Sequence, residues 1–165
     1  MKDGASVVYD GMKKFRASIQ ELRAKQVLIG IPSDKSPRND GSPYGNAQIG
    51  YVQENGSPVH NIPARPHLIP GVKGVNNQIA TVFEEGAKAV LDKGPGELDK
   101  ALNKGGIIGQ NAVKRYIVAQ EGFEPLADST IAARERGGFS GIKALIRTGQ
   151  YLNSFTYVIR LRRGV

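Results

Sequence analysis

The stretch LIRTGQYLNSFTYVIRL, residues 145–161, closes the chain with two consecutive patterns. Residues 144–155 predict a helix or a turn, and residues 156–161 alternate in the manner of a strand. Another strand is predicted at residues 27–31, where the apolar run VLIGI ends at Pro32, which has no backbone N–H to donate. These two predicted strands, one near each end of the chain, indicate a small sheet.

Helical patterns occupy much of the remaining sequence. Helices are expected at residues 46–54, 75–93 and 97–119, with a further helical turn at residues 131–134. The pair Gly105-Gly106 could kink the third of these helices. A long N-terminal amphipathic helix is predicted from apolar residues at spacings of three and four, namely Val8, Met12, Phe15, Ile19 and Leu22.

The predicted fold class is α+β, with a small, mostly antiparallel sheet covered by helices on one face. A proline-rich passage at residues 57–66 predicts extended chain that enters a strand at residues 67–69. At 165 residues we expect a single domain, 1–165, because two smaller pieces would each bury too little apolar surface. Loops near 33–45 and 137–141 are expected to be flexible, and are either docking segments ordered by neighbours or ordinary surface loops.

The chain is basic, with 23 Lys and Arg against 15 Asp and Glu and a net charge of +8. Much of the excess lies after residue 130, and Arg160, Arg162 and Arg163 lie within its last six residues. This pattern indicates either contact with DNA phosphates or a charge that aids solubility or pairs with an acidic neighbouring subunit. Because no recognition motif accompanies the charge, any DNA contact is expected to be nonspecific.

Nothing in the sequence indicates catalysis. His60 and His67 are the only histidines and have no third ligand nearby in the sequence, so surface or packing roles are favoured over metal binding. Cysteine is absent, and the glycine pairs lack the rest of a phosphate-binding pattern. We expect no enzyme activity and no cofactor. The absence of cysteine fits a reducing compartment, with the cytoplasm as the default. No signal peptide or membrane span is predicted, so we expect no membrane partner.

A series of short motifs in fixed order resembles the tail-completion and neck proteins of tailed bacteriophages, including lambda-like tail-completion proteins and the Mu-like virion-morphogenesis protein G. The resemblance extends over most of the chain, from about residue 27 to residue 159. Its departures are His67, where an aromatic residue is common, and Arg147, where an acid often precedes Thr-Gly. The matching residues are Gly30, Pro32, Glu54, Gly56, Pro63, Arg65, Pro66, Pro125, Leu126, Thr130, Leu145, Thr148, Gly149, Leu152 and Ser154.

The resemblance implies a structural protein of the virion neck that completes the tail and joins it to the head. It implies a homo-oligomeric ring, commonly a hexamer, around the channel for double-stranded DNA. The implied partners are head-tail connector or adaptor proteins and tail terminator or tail tube proteins, with assembly in the host cytoplasm. Two alternatives stay open: a tail terminator that caps the tail tube, and a small sequence-nonspecific DNA-binding protein.

Two sets of side chains carry specific expectations. Glu54 and Arg65 are expected to stabilise the fold, through a partly buried ion pair or through capping of backbone carbonyls. A basic lining of the DNA channel is predicted from charge clustering, because it would attract the duplex and still let it slide. The residues of this predicted lining are Arg160, Arg162, Arg163, Lys104, Lys114 and Arg115.

Overall fold

The computed structural model describes residues 4–94 and 96–162. Within these ranges the chain forms seven α-helices and one antiparallel sheet of two strands, which confirms the predicted α+β class. The strands are β1 (Lys25–Gly30) and β2 (Thr156–Leu161). The helices are α1 (Gly4–Ala24), α2 (Asn46–Asn55), α3 (Leu68–Lys73), α4 (Asn76–Lys93), α5 (Glu97–Ala119), α6 (Asp128–Arg136) and α7 (Gln150–Ser154).

The sheet pairs the two ends of the chain. Val27 lies opposite Ile159, and Ile29 lies opposite Tyr157. These four side chains share the face of the sheet that packs on the helices, because alternate residues of a strand point to the same side. Among the described residues, no third strand pairs with either outer edge of this sheet.

Helix α5 is the centre of the fold and contacts α3, α4 and both strands. It runs without a break through Gly105-Gly106, so the continuity predicted from the sequence is confirmed. A Cβ atom on Gly105 would overlap the ring of Phe83, and one on Gly106 would overlap the ring of Tyr157. The two glycines therefore let α4 and β2 approach α5 closely.

The buried side chains form two clusters around α5. One holds Val113, Ile117, Tyr151 and Phe155, and joins α5 to α7. The other holds Val90, Leu98 and Leu102, with Val27 and Ile159 of the sheet packed against it. The short helix α7 is thereby fixed to the end of the fold that lies beside α3.

Helix α1 is formed as predicted, but its apolar stripe is largely uncovered. Met12, Phe15 and Ile19 are 50%, 51% and 37% exposed. Among the described side chains of α1, Leu22 packs in the second cluster, and Ser18 donates from its Oγ to the carbonyl of Val90 at 3.2 Å. Val8, the first residue of the predicted stripe, lies outside the part of α1 whose side chains the structure describes.

The strand predicted at residues 67–69 is wrong, because this segment is the start of α3. The prolines before it do keep the chain extended, as predicted. At Leu68 the backbone turns into a helix, and its first N–H groups are satisfied by a side chain distant in sequence. Such a long-range contact has no local signature.

The other helix boundaries follow the predictions with smaller differences. Helices α2, α4 and α5 agree with the predicted ranges to within one residue. The turn expected at residues 131–134 is the longer helix α6, whereas only part of the range 144–155 is helical, as α7. The loop at residues 33–45 contains one turn of 3-10 helix, and its flexibility stays a prediction.

None of the helices in the described ranges is long and apolar enough to cross a membrane.

Candidate functional site

Glu54, in the last turn of α2, caps the start of α3. Its Oε2 atom accepts hydrogen bonds from the backbone N–H groups of His67 at 2.8 Å and Leu68 at 2.9 Å, and its Oε1 accepts one from Ile69 at 3.0 Å. N–H groups in the first turn of a helix have no acceptor within the helix. Burial raises the pKa of Glu54, but the three donated hydrogen bonds together outweigh it and leave that pKa below its ordinary value.

Arg65 joins the end of α2 to the segment before α6. It is only 6% exposed, and its Nε and Nη2 atoms donate to the backbone carbonyls of Glu124 at 2.7 Å and Pro125 at 3.0 Å. A third, longer bond of 3.4 Å runs from Nη1 to the side chain of Gln53. These are the carbonyl contacts that the sequence suggested; within the described ranges, no ion pair joins Glu54 to Arg65.

His67 lies in the core and connects this segment to α7. Its Nδ1 is 2.6 Å from the carbonyl of Arg65 and its Nε2 is 2.6 Å from the hydroxyl of Tyr151. Because a carbonyl only accepts, Nδ1 carries the proton, and Nε2 accepts from the tyrosine. Burial lowers the pKa of His67, although the Arg65 carbonyl and Glu54 oppose the shift. The imidazole has the packing role considered from the sequence.

The Thr-Gly motif starts α7. Gly149 has φ of 78°, a left-handed conformation that favours glycine, and Gln150 donates its N–H to the hydroxyl of Thr148 at 3.4 Å. The turn directs Tyr151 into the core beside His67. Ser154 is buried and donates from Oγ to the carbonyl of Tyr151 at 2.6 Å, while Leu152 packs against the same cluster.

Gly56 ends α2 and lets the chain turn back closely on itself. Its φ is 76°, and a Cβ atom there would lie 2.9 Å from the backbone nitrogen of Ala64. Gly30 is the last residue of β1, and Pro32 precedes a turn of 3-10 helix. The resemblance motifs therefore have mainly conformational roles in this structure.

Many of these residues meet in one cleft of about 970 Å³, here called the arginine cleft. Its walls are the passage after α2, the segment that leads into α6, and the turn before α7. The residues Gly30, Pro32, Glu54, Pro66, Leu152 and Ser154 do not line it. The motif residues that do line it are Gly56, Pro63, Arg65, Pro125, Leu126, Thr130, Leu145, Thr148 and Gly149.

Three further arginines line the cleft, and their convergence was not foreseen from the sequence. Arg134 donates from Nη1 to the carbonyls of residues 141, 143 and 146, at 2.8, 2.9 and 3.1 Å. Arg38 pairs with Asp40. Arg147 approaches the same carboxylate at 3.4 Å and lies 5.2 Å above the ring of Phe139. The excess of basic residues after residue 130 was the signal in the sequence for Arg134 and Arg147, and Arg38 lies outside that stretch.

The residues predicted to line a DNA channel do not form one surface in a single chain. Arg160 alternates with Tyr157 and Ile159, so it projects from the sheet face opposite α5. Lys104 and Arg115 are exposed on the side of α5 opposite Gly106, the glycine that contacts Tyr157. Lys114, which precedes Arg115, is half-buried. Arg162 follows β2 and is exposed, whereas Arg163 lies outside the described residues.

Within the described residues, no three histidine, aspartate or glutamate side chains come together in a way that could hold a metal ion. No protein-family model, curated protein or solved structure matches the chain.

Proposed function

We propose that the chain is a structural protein of the tailed-phage neck, which completes the tail and joins it to the head. In this role copies of the chain form a ring, with six copies expected, around the DNA channel. Its neighbours are connector or adaptor proteins on the head side and tail terminator or tail tube proteins on the tail side. The protein has no catalytic task, assembles in the host cytoplasm and resides in the virion.

The observation that carries the proposal is the sheet of only two strands. Two paired strands leave two outer edges with unpaired N–H and C=O groups, and none of these edges is covered by another strand within the described ranges. A two-stranded sheet gains stability when further strands join it. Pairing between subunits satisfies both edges, and a closed ring does so without open-ended growth.

The exposed apolar stripe of α1 is consistent with the same assembly. Met12, Phe15 and Ile19 are each more than a third exposed on one side of a 21-residue helix. Apolar groups of this size gain free energy when a neighbouring molecule covers them. Subunits and neighbours in the neck offer such surfaces.

Two measurements test the neck assignment. Light scattering coupled to size exclusion separates a 17.7 kDa chain from an assembly of about six times that mass, a ratio set by closed cyclic symmetry. Electron microscopy of tailed particles that carry a tagged chain then locates it. A closed ring at the junction of head and tail, or a monomer that becomes ordered only there, supports the proposal. A folded chain that is absent from the particles contradicts it.

A tail terminator is the closest variant, since a ring that caps the tail tube uses the same open edges. The same micrographs distinguish the two, because a terminator lies directly on the last tube ring. The second function, a nonspecific DNA-binding protein, is favoured by the net charge of +8 and by the exposed Arg160 and Arg162. Steep salt dependence of duplex affinity in the isolated monomer would support that alternative.

A further inference from the structure

The arginine cleft holds more positive charge than its own carboxylates neutralise. Arg38, Arg65, Arg134 and Arg147 line it, against the single carboxylate of Glu124. Asp40 lies beside the cleft and pairs with Arg38 and Arg147. With Asp40 included, four guanidinium groups face two carboxylates. One concave surface therefore keeps a surplus of two positive charges.

Two of these arginines are held by neutral groups alone. The hydrogen bonds of Arg65 run to two backbone carbonyls and an amide side chain, and those of Arg134 run to three carbonyls. Neutral acceptors fix the position of a guanidinium group without neutralising its charge, and of these two arginines Arg65 alone has a carboxylate, that of Glu124, acting on it electrostatically. Burial lowers the pKa of Arg134, and repulsion from Arg147 and Arg65 lowers that pKa further. An anion in the cleft would relieve this repulsion.

The form of the cleft indicates what kind of anion fits. Arg65 is 6% exposed, so its charge is reached from within the concavity and not from an outer surface. A rigid DNA duplex contacts groups that project, whereas an extended polypeptide enters a concavity. Ile49, Leu126 and Leu145 add apolar contacts to the same walls, which suits side chains that alternate between acidic and apolar.

The charge of the chain indicates where such a polypeptide comes from. Its net charge is +8, and its longest run of consecutive acids is the pair Glu84-Glu85. A second copy of the chain is therefore a poor source of an acidic segment. A different, acidic protein is complementary to the cleft.

We propose that the arginine cleft binds an extended acidic segment of another protein, with Arg147 and Arg134 contacting its carboxylates. The side chain of Arg147 is 47% exposed, whereas that of Arg38 is 12% exposed. Arg147 is therefore the more open of the two to an incoming ligand. Arg134 donates only from Nη1 within the described residues, which leaves its Nη2 for a ligand. The site does not depend on the neck assignment.

The test measures fluorescence anisotropy of labelled eight-residue peptides added to the full chain. The probes are a peptide of alternating glutamate and valine, the same peptide with glutamine for glutamate, and a short DNA duplex. We expect the acidic peptide to bind and the glutamine peptide to bind at least tenfold more weakly, because a hydrogen bond to a charged group is worth about that much. Arg147→Gln is expected to weaken the acidic peptide about tenfold for the same reason.

Two further variants separate the cleft from general charge. Arg136→Gln removes an exposed arginine of α6 that does not line the cleft, and we expect less than about a twofold effect, as for other surface changes. Thr130→Trp adds a bulky side chain to the wall of the cleft without changing its charge and is expected to weaken binding. Circular dichroism confirms that each variant is folded.

Three results would overturn the proposal. The first is equal weakening by Arg147→Gln and Arg136→Gln, which would mean attraction to net charge. The second is full binding to Thr130→Trp. The third is no preference of the folded protein for the acidic peptide over the glutamine peptide. If the duplex alone binds and Arg147→Gln selectively weakens it, the site is a nucleic-acid site instead.

Discussion

At the scale of single residues, Glu54 decides the position of α3. Its carboxylate accepts three backbone N–H groups, and the helix begins where those groups lie. No other side-chain hydrogen bond caps this helix among the described residues. A negative charge at a helix start adds to the effect of the hydrogen bonds. This single side chain therefore connects α2 to α3 both geometrically and electrostatically.

The first prediction is that Glu54→Gln lowers the free energy of unfolding by about 1–2 kcal/mol, the usual value of a helix cap. Glutamine keeps one acceptor but loses the negative charge and one of the two accepting oxygens. Urea denaturation followed by circular dichroism measures the change. Glu85→Gln is the matched control, since Glu85 is exposed on α4, and its effect should stay below about 0.5 kcal/mol. Equal losses in the two variants would contradict the capping role.

The second prediction concerns pH. The pKa of His67 is lowered in the folded protein from its ordinary 6.5, so between that value and the folded pKa the unfolded chain binds more protons. The stability that the neutral His67 contributes is therefore fully present above pH 6.5. It decreases as the pH falls, by at most about 1.4 kcal/mol per pH unit. Glu54 adds its own loss below about pH 4.5, because its pKa is also lowered.

Urea denaturation at several values between pH 7.5 and pH 5 measures this slope. His67→Asn should be less stable at every pH and should lose most of the slope over this range. His60→Asn changes an exposed histidine and should keep it. A slope that survives in His67→Asn would show that another group carries the pH dependence.

At the scale of elements, α5 organises the fold through residues without side chains. Gly105 and Gly106 occupy the places where α4 and β2 come closest to it. Glycine in a helix interior costs about 1 kcal/mol relative to alanine. Close packing of Phe83 and Tyr157 offsets that cost. The glycine pair is thus a packing device, although by its local pattern it resembles a helix break.

The third prediction follows from this packing. Gly106→Ala should destabilise the protein by about 1–3 kcal/mol, although alanine favours the helix, because the added methyl group overlaps the ring of Tyr157. Thermal and urea denaturation measure the loss. Gly74→Ala is the control, since an added Cβ at Gly74 meets nothing closer than 3.5 Å, and it should change stability by less than about 0.5 kcal/mol. A stabilised Gly106→Ala variant would contradict the close approach.

At the scale of the whole molecule, the basic residues divide into two faces. Arg160 and Arg162 lie at β2 and just beyond it, whereas Lys104 and Arg115 lie on the outer side of α5. A ring that encloses DNA turns only one of these faces toward the duplex. The β2 face is the better candidate, because Arg163 follows Arg162 and extends the same basic run.

The fourth prediction takes the proposed ring as its premise: the double variant Arg160→Gln with Arg162→Gln should reduce the salt dependence of duplex binding by that ring. Each lost phosphate contact should lower the slope of log affinity against log salt by about 1. Lys104→Gln with Arg115→Gln removes the same charge from the other face and should leave the slope nearly unchanged. The opposite result would place the α5 face toward the DNA and contradict the assignment of the β2 face to the channel.

The sequence by itself determined both strands and most of the helices of this protein, because a buried stripe, an alternation or an apolar run is visible along the chain itself. It predicted α1, α2, α4, α5, β1 and β2, and its motifs identified Glu54 and Arg65 as stabilising residues. The tertiary structure alone decided that residues 67–69 begin a helix. It alone also brought Arg38, Arg134 and Arg147 to one cleft. These features depend on contacts between residues far apart in the chain, and distant contacts leave no periodic trace in the sequence.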